Sequence, residues 1–393
     1  MNPRASHRCR LRLTIVALLV QLAHAQAQEP SIDNLLKKLP PPEKLVNTPI
    51  QRALNVEDPA LKDPLGNEVV AALRKQDFHR ANGLIEKLAQ RYPQSAAVSS
   101  IEAAIKVRLR DYPGAEKAAQ HALAIDPKYA LAHFLLGNLE AEQGRFSRAL
   151  PHFQKAADLE SKTPVAWIYL SACEEKVGHK RAALDAARRA TTVAPAFLPA
   201  WLSLVRAEKA SGHTLECLHA LTRAADLSPD NASMLAAVGY AYINLNRIPE
   251  AVGPLQRAAR FSPNDFLVQA QLGFCLTMTG QIEAGIEHLR KSAKLNPNYA
   301  PAWEHLGLTY EKQGRHRDAV TAFERAVKIV PMYKLAWEHL ALEYRLVGHT
   351  AASQQAAYMA AHITNAPPSA AKAKPQRRAH DFYPSRLPPG RGG

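Results

Sequence analysis

The sequence predicts an all-α protein built from about nine tandem helical hairpins. Three observations predict it: a 34-residue pattern that recurs in phase, a glycine at position 15 of that pattern, and a proline at position 32. Glycine ends a helix because it adopts the left-handed conformation at little steric cost. Proline ends one because it lacks a backbone N–H and clashes with the preceding turn. Each period therefore holds two helices joined by a tight turn.

The period 300–333 shows the pattern most fully. Its first helix has one apolar face, formed by positions 4, 7, 8 and 11 (Trp303, Leu306, Gly307 and Tyr310). Gly314 ends that helix, and Pro331 ends the second one. The second helix also has one apolar face, formed by positions 20, 24 and 27 (Ala319, Phe323 and Ala326). The period is thus one helical hairpin.

The same register extends over residues 62–366. The nine units start at residues 62, 96, 130, 164, 198, 232, 266, 300 and 334. Position 20 is small in every unit, as close packing of two helices requires: Ala81, Ala115, Ala149, Ala183, Cys217, Ala251, Gly285, Ala319 and Ser353. All four tryptophans of the protein stand at position 4. The array therefore forms one repetitive domain.

This pattern resembles the tetratricopeptide repeat family. The family's signature residues at positions 4, 7, 8, 11, 15, 20, 24, 27 and 32 are matched almost fully by 300–333 and well by 130–163. The first two units depart from it, since Gln76 and Arg110 replace the glycine at position 15 and Glu68 stands where a leucine belongs. The resemblance implies a right-handed α-solenoid whose first helices line a concave groove through positions 2, 5, 9, 12 and 13.

The groove positions predict a binding surface for a protein or peptide segment. Large apolar or aromatic residues occupy position 9 in four successive units: Tyr240, Phe274, Leu308 and Leu342. Nearby groove positions add apolar and charged residues: Ile243, Met278, Glu304, Glu311, Lys312 and Arg345. Contiguous exposed apolar surface is typical of an interaction site. The alternative is that a tight superhelix, or the chain's own termini, covers these residues.

The sequence does not name the partner. Tetratricopeptide clamps for chaperone C-termini use Lys and Asn at positions 5 and 9 of adjacent repeats, and no adjacent pair here supplies that set. The asparagine ladder that binds peptide backbones in some long arrays is also missing, with Asn138 alone at position 9. The oligomeric state is left open as well.

No motif for catalysis, a cofactor or a metal is present in the sequence. It has no glycine-rich phosphate loop, nucleophile elbow or His-Glu-x-x-His stretch. Cys173, Cys217 and Cys275 stand at positions for small buried residues, which indicates core residues rather than a disulfide framework. Acids such as Glu174, Glu175 and Glu208 are interpreted as solvated charges on helix faces. We therefore expect no enzyme activity and no cofactor.

Five histidines repeat at related positions: His179, His213 and His349 at position 16, and His305 and His339 in two Trp-Glu-His-Leu stretches. A metal site needs three or four donors within about 2 Å of one ion. Residues repeated once per unit are spread along the array instead. These histidines are therefore predicted to be solvated residues of turns and helix surfaces.

Residues 1–25 are predicted to be a signal peptide. Four arginines precede the apolar run 13–22, and Ala23-His24-Ala25 is a small-x-small cleavage site, with Ala25-Gln26-Ala27 a second register. The run is shorter than the roughly 20 residues of a spanning helix, although an uncleaved membrane anchor is the alternative. We expect export, to a bacterial periplasm, with cleavage near Ala25 or Ala27. The proline-rich residues 26–61 follow as a linker.

Residues 367–393 form a basic tail, which contributes to the formal net charge of +15. Their composition predicts disorder, because it offers too little apolar area to offset the entropy of ordering. The tail is either an inert solubilising end or a docking segment for an anionic lipid surface or polysaccharide. In the second interpretation Arg377 and Arg378 supply charge, and Phe382 and Tyr383 act as anchors. An exported protein seldom meets nucleic acid, so we expect no nucleic-acid partner.

Overall fold

The computed structural model describes residues 58–363. Every regular element in that range is an α-helix, as predicted, and none of these helices is long and apolar enough to cross a membrane. The chain divides between Pro297 and Asn298 into two compact units, unit 1 and unit 2. The predicted signal peptide, most of the linker and the whole tail, with Arg377, Arg378, Phe382 and Tyr383, lie outside the described residues.

Unit 1 contains one short leading helix followed by seven helical pairs. Its helices are α1 (Pro59–Lys62), α2 (Pro64–Arg74), α3 (Phe78–Arg91), α4 (Ala96–Arg108), α5 (Tyr112–Ile125), α6 (Ala130–Glu142), α7 (Phe146–Leu159), α8 (Pro164–Val177), α9 (Lys180–Val193), α10 (Leu198–Ser211), α11 (Thr214–Asp226), α12 (Ala232–Asn244), α13 (Ile248–Phe261), α14 (Phe266–Met278) and α15 (Ile282–Leu295). Helix α1 includes residues assigned to the linker above. Ala60 and Leu61 of α1 are buried, and Asp58 caps it by accepting a hydrogen bond from the backbone N–H of Ala60.

Unit 2 contains two helical pairs in the described range: α16 (Ala300–Lys312), α17 (His316–Ile329), α18 (Lys334–Leu346) and α19 (Thr350–His362). In both units each helix contacts the next one in the chain. First helices of successive hairpins also contact each other, as α8 and α10 do in unit 1 and α16 and α18 do in unit 2. The architecture is thus that of an α-solenoid, in which a single hairpin buries its apolar face only by packing on its neighbours.

Position 15 is left-handed in every hairpin. Its glycines have φ between +70° and +96°, and Asn246 adopts +56°. In the first two hairpins Gln76 and Arg110 adopt φ of +57° and +61°, although neither is a glycine. The first helices α2 and α4 form despite these departures from the repeat pattern, because the same turn is made at a local cost in backbone strain.

A glycine at position 8 packs against a large residue at position 24 within the same hairpin. A Cβ atom built on Gly137 would lie 3.0 Å from the ring of Phe153, and one on Gly307 would lie 2.6 Å from the ring of Phe323. Both phenylalanines are fully buried. This close approach explains why the family pattern pairs a small residue at position 8 with a bulky one at position 24.

Tryptophan and glutamine side chains at position 4 donate a hydrogen bond to the carbonyl six residues earlier, at position 32 of the preceding repeat. Trp201 Nε1 donates to the carbonyl of Pro195 at 2.8 Å in unit 1, and Trp337 Nε1 donates to that of Pro331 at 2.8 Å in unit 2. Gln269 makes the same bond to Pro263. The tryptophans therefore hold the connection between successive hairpins in addition to filling space.

Candidate partner-binding surface

Within each unit, side chains at positions 9, 12 and 13 of the first helices form a surface that we call the first-helix face. In unit 1, Tyr240 on α12 and Phe274 on α14 are half-buried at position 9. In unit 2, Leu308 on α16 and Leu342 on α18 are half-buried at the same position. Each of these four side chains therefore keeps part of its apolar surface accessible within its own unit.

The first-helix face of α12 and α14 rests on a small apolar core. Phe274 and Met278 pack against a buried cluster that includes Ile243, Leu272 and Leu276. Ile243 was expected to face the groove, but it is buried. Its role in this structure is to support Phe274 and Met278, so these two residues and Tyr240 present the accessible apolar surface of this region.

The first-helix face of unit 2 is more charged, and it differs from the prediction at one residue. Lys312 and Arg345 are exposed, and Glu311 is half-buried. Glu304, expected as an exposed groove charge, is only 1% exposed. The Tyr333 hydroxyl donates a hydrogen bond to Glu304 Oε2. Glu304 therefore belongs to the interior of unit 2 rather than to its surface.

Two further acid–base pairs join the hairpins of unit 2. Glu311 Oε2 on α16 lies 2.7 Å from His339 Nδ1 on α18. Glu343 Oε2 on α18 lies 2.9 Å from His316 Nδ1 on α17, and Glu343 is fully buried. Each of these pairs links residues from consecutive hairpins. The packing of α18 on α16 and α17 is thus partly polar.

Burial controls the protonation of this group of side chains. Burial raises the pKa of Glu304 to about 7, although the Tyr333 hydrogen bond and the charge of His339 both lower it. Burial alone lowers the pKa of His339, but its bond to Glu311 and the surrounding carboxylates outweigh burial and raise the pKa above its ordinary value. Those carboxylates are Glu311, Glu304 and Glu338. Glu304 can therefore change charge near neutral pH, and His339 keeps its charge to a higher pH than an ordinary histidine does.

The prediction that the repeated histidines are solvated is wrong for two of them. His305 is 6% exposed, and burial lowers its pKa to about 4, with a further contribution from the charge of Lys312. His339 is largely buried and stacks on the ring of Phe323, with ring centroids 5.4 Å apart. The sequence alone hides this because histidine is compatible with either environment.

Two of the position-16 histidines, His179 and His213, contact an acid at position 11 of the same hairpin. His179 Nδ1 lies 2.7 Å from Glu174 Oε2, and His213 Nδ1 lies 2.7 Å from Glu208 Oε2. Glu208, interpreted above as a solvated charge, is buried and also accepts a hydrogen bond from Arg188 at 3.0 Å. These acids and histidines thus have structural partners. Within residues 58–363 no group of three or more potential ligands could hold a metal ion.

The three described cysteines are buried, unpaired thiols, as predicted. Burial is the main cause that raises the pKa of Cys173 and of Cys217 to about 11, and burial alone raises the pKa of Cys275 to about 12. A thiol with so high a pKa is a poor nucleophile at neutral pH because the thiolate is the reactive form. These cysteines are accordingly core residues.

One feature that the sequence analysis missed is a column of basic side chains at position 26 of the second helices. All of its members are exposed: Lys87, His121, Lys155, Arg189, Arg223, Arg257 and Lys291 in unit 1 and Arg325 in unit 2. The repeat register alone could have revealed it. Arg189 lies over the ring of Trp167, 4.9 Å from its centroid, and Arg223 lies similarly over Trp201. Cation–π contact with position 4 is therefore one structural role of this column.

Comparison with known proteins identifies the repeat. A model described as tetratricopeptide repeat matches residues 102–164 and 202–266, and a second model of the same description matches residues 300–333. The second match has the same bounds as the period 300–333, which shows the 34-residue pattern most fully.

Superkiller complex protein 3 from Homo sapiens is 37% identical over 97 residues, which are 23% of this chain and 6% of the human protein. The chain therefore spans a small part of that relative's length. YrrB, a TPR protein with an unusual peptide-binding site, is similar over 47% of this chain and 95% of its own, with 21% identity and a TM-score of 0.42. MamA from Desulfovibrio magneticus RS-1 is similar over 42% of this chain and 94% of its own, with 19% identity and a TM-score of 0.40.

Proposed function

Because this chain belongs to the tetratricopeptide repeat family, we propose that it is a non-enzymatic scaffold that holds a segment of a partner protein on its first-helix face. Repeat solenoids of this kind offer extended surfaces for protein recognition. The observation that carries the proposal is the succession of partly accessible apolar side chains at position 9, Tyr240 and Phe274 in unit 1 and Leu308 and Leu342 in unit 2.

The chemistry of the first-helix face differs along the chain. Around α12 and α14 it presents Tyr240, Phe274 and Met278, on which apolar side chains of a partner can be buried. In unit 2 the apolar Leu308 is accompanied by Glu311 and Lys312. We therefore expect partner residues that meet unit 1 to be apolar or aromatic, and partner residues that meet unit 2 to include polar ones.

Binding by Tyr240 and Phe274 can be tested with a peptide selected from a displayed library against the whole chain. The double variant Tyr240→Ala/Phe274→Ala should weaken binding of the selected peptide at least tenfold, because alanine removes most of the aromatic contact area. The matched control is Arg257→Ala/Lys291→Ala, which changes two exposed residues of the position-26 column on the second helices of the same two repeats. Equal affinity of the wild type and the aromatic variant would refute the assignment of the surface.

The proposed location is the bacterial cell envelope, where the scaffold would assist assembly or regulation of an envelope complex. This part rests on residues 1–25, with four arginines, a short apolar run and a small-x-small cleavage site. Expression with fractionation should recover a mature chain that begins at Gln26 or Gln28. Recovery of a chain that still begins at Met1 would contradict cleavage.

A second candidate function is adhesion of the tail to an anionic lipid surface or polysaccharide. Residues 367–393 contain six lysines and arginines and a single acid, Asp381. Arg377 and Arg378 would supply attraction, and Phe382 and Tyr383 would anchor the segment. Deletion of residues 367–393 should abolish salt-sensitive sedimentation with vesicles of anionic lipid, and unchanged sedimentation would exclude this function.

A further inference from the structure

We propose that protonation of Glu304 controls the packing of the last described hairpin, α18–α19, on α16–α17. The carboxyl group favours the packed arrangement when it is protonated and disfavours it when it is ionised. This dependence of packing on Glu304 protonation does not rely on which partner occupies the first-helix face.

Position 5 of the repeat is the place that the next hairpin covers. In the six hairpins of unit 1 that another hairpin of the same unit follows, it holds only buried small or apolar residues: Gly66, Ser100, Phe134, Ile168, Leu202 and Ala236. In unit 2 the same position holds Glu304, which is 1% exposed, and Glu338, whose side chain is 50% exposed in the last described hairpin. The comparison indicates that a following hairpin buries the position-5 side chain. Glu304 is therefore a carboxyl group in a slot that otherwise takes uncharged side chains.

The hydrogen bonds of Glu304 leave one of its oxygens unpaired. The Tyr333 hydroxyl donates to Oε2, whereas Oε1 is buried with no hydrogen-bond partner among the described residues. Burying an ionised carboxylate with an unpaired oxygen is costly, and a protonated carboxyl group avoids most of that cost. The packed arrangement thus favours the neutral acid.

The charged and titratable groups around Glu304 come from a few elements. Tyr333, between α17 and α18, donates to it, and His339 on α18 carries the nearby cationic charge. His305, on α16 itself, is held neutral because burial lowers its pKa to about 4. Three titratable side chains of α17 have other partners: His316 contacts Glu343, Glu324 contacts Tyr344, and Asp318 contacts Arg315.

The direction of the pH effect follows from the two raised pKa values. Glu304 has a pKa of about 7 in the folded unit against an ordinary 4.5, so its stabilising contribution is complete below about pH 4.5 and is lost as the pH rises through 7. The pKa of His339 is also raised, so its contribution is present below its ordinary 6.5 and is lost at higher pH. Both groups therefore favour packing of α18–α19 in mildly acidic solution.

Hydrogen exchange of the full chain tests the proposal, with wild type and Glu304→Gln compared at the same pH so that intrinsic exchange rates cancel. Glutamine has the shape of the protonated acid and does not titrate. At pH 8 the backbone amides of α18–α19 should exchange at least tenfold faster in the wild type than in Glu304→Gln. The full difference between the folded and the ordinary pKa of Glu304 sets an upper limit of about 300-fold. At pH 5 the difference between the two proteins should fall to about fourfold or less.

The matched control is Glu338→Gln, a change at the same repeat position on an exposed side chain, which should alter the exchange rates of α18–α19 far less than Glu304→Gln does at pH 8. Helices α14 and α15 of unit 1 serve as an internal reference. Glu304→Ala introduces the residue type that α14 carries at position 5, Ala270, and it repeats the test if Glu304→Gln does not fold. Equal protection of wild type and both Glu304 variants at pH 8 would overturn the proposal.

Discussion

Two interfaces between consecutive hairpins show how one repeat geometry accommodates different chemistry. In unit 1 the third and fourth hairpins meet through a cluster of rings: Phe134 lies 5.6 Å from Phe153 and 4.9 Å from Tyr169 between centroids. In unit 2 the eighth and ninth hairpins meet through Glu304, Tyr333, His339 and Glu343. The third and the eighth hairpin, which come first in their pairs, both retain the glycine at position 8 and the phenylalanine at position 24. Contacts within a hairpin thus set the repeat, and contacts between hairpins can vary.

The largest effect should come from removing the ring that lies at the centre of the unit 1 interface. Phe153→Ala is expected to destabilise the protein by about 3–5 kcal/mol, because a fully buried ring is replaced by a cavity. The loss should be the same at pH 6 and pH 9, since the cluster contains no group that titrates in that range. Urea unfolding at the two pH values measures it. A loss that changed strongly with pH would show that the unit 1 interface also depends on groups that titrate, and would contradict the contrast drawn with unit 2.

Removing one carboxylate of the unit 2 interface should have a smaller and pH-dependent effect. Glu311→Gln is expected to cost about 1–2 kcal/mol at pH 5.5, where His339 is charged and bonded to Glu311. The cost should shrink at pH 9, because the raised pKa of His339 makes its stabilising contribution present at low pH and absent once the ring is neutral. Urea unfolding of wild type and variant gives the difference. A cost that is larger at pH 9 would contradict this sign.

Substitutions at position 4 should reduce stability by the same amount in both units. Trp201→Phe in unit 1 and Trp337→Phe in unit 2 each remove a hydrogen bond to a proline carbonyl while keeping an aromatic ring. We expect each to cost about 1 kcal/mol at any pH between 5 and 9. Thermal unfolding of the two variants side by side tests whether this contact belongs to the shared geometry. A loss in one unit alone would show that it does not.

The smallest expected effect is stabilising. Arg110 occupies the left-handed position of its turn with φ of +61°, which glycine adopts at less cost. Arg110→Gly should therefore raise the free energy of unfolding by about 0.5–1 kcal/mol, a gain reduced by the greater backbone entropy of glycine in the unfolded chain. The reverse substitution in a regular turn, Gly144→Arg, is the matched control and should destabilise. A lower free energy of unfolding in both variants would show that the left-handed turn geometry does not determine stability at this position.

The sequence was sufficient to predict the repeats because their register depends on residue size and backbone conformation. Position 15 required a left-handed residue, and position 20 required a small one, whatever surrounded them. Burial at the groove positions was harder to predict. Glu304 and Ile243 stand on the same helix face as exposed residues, and their burial depends on neighbouring hairpins rather than on their own helix. Histidine gave no signal either, because His305 and His179 have the same side chain in buried and exposed environments.

The proposal that the first-helix face binds the partner segment is tested most directly by site-specific photo-cross-linking. A photoreactive phenylalanine analogue at position 274, on the first-helix face, is compared with one at position 291, on the exposed second-helix column of the same repeat. The proposal predicts that the selected peptide cross-links to the probe at 274 and not to the probe at 291. Cross-linking at 291 with none at 274 would contradict it.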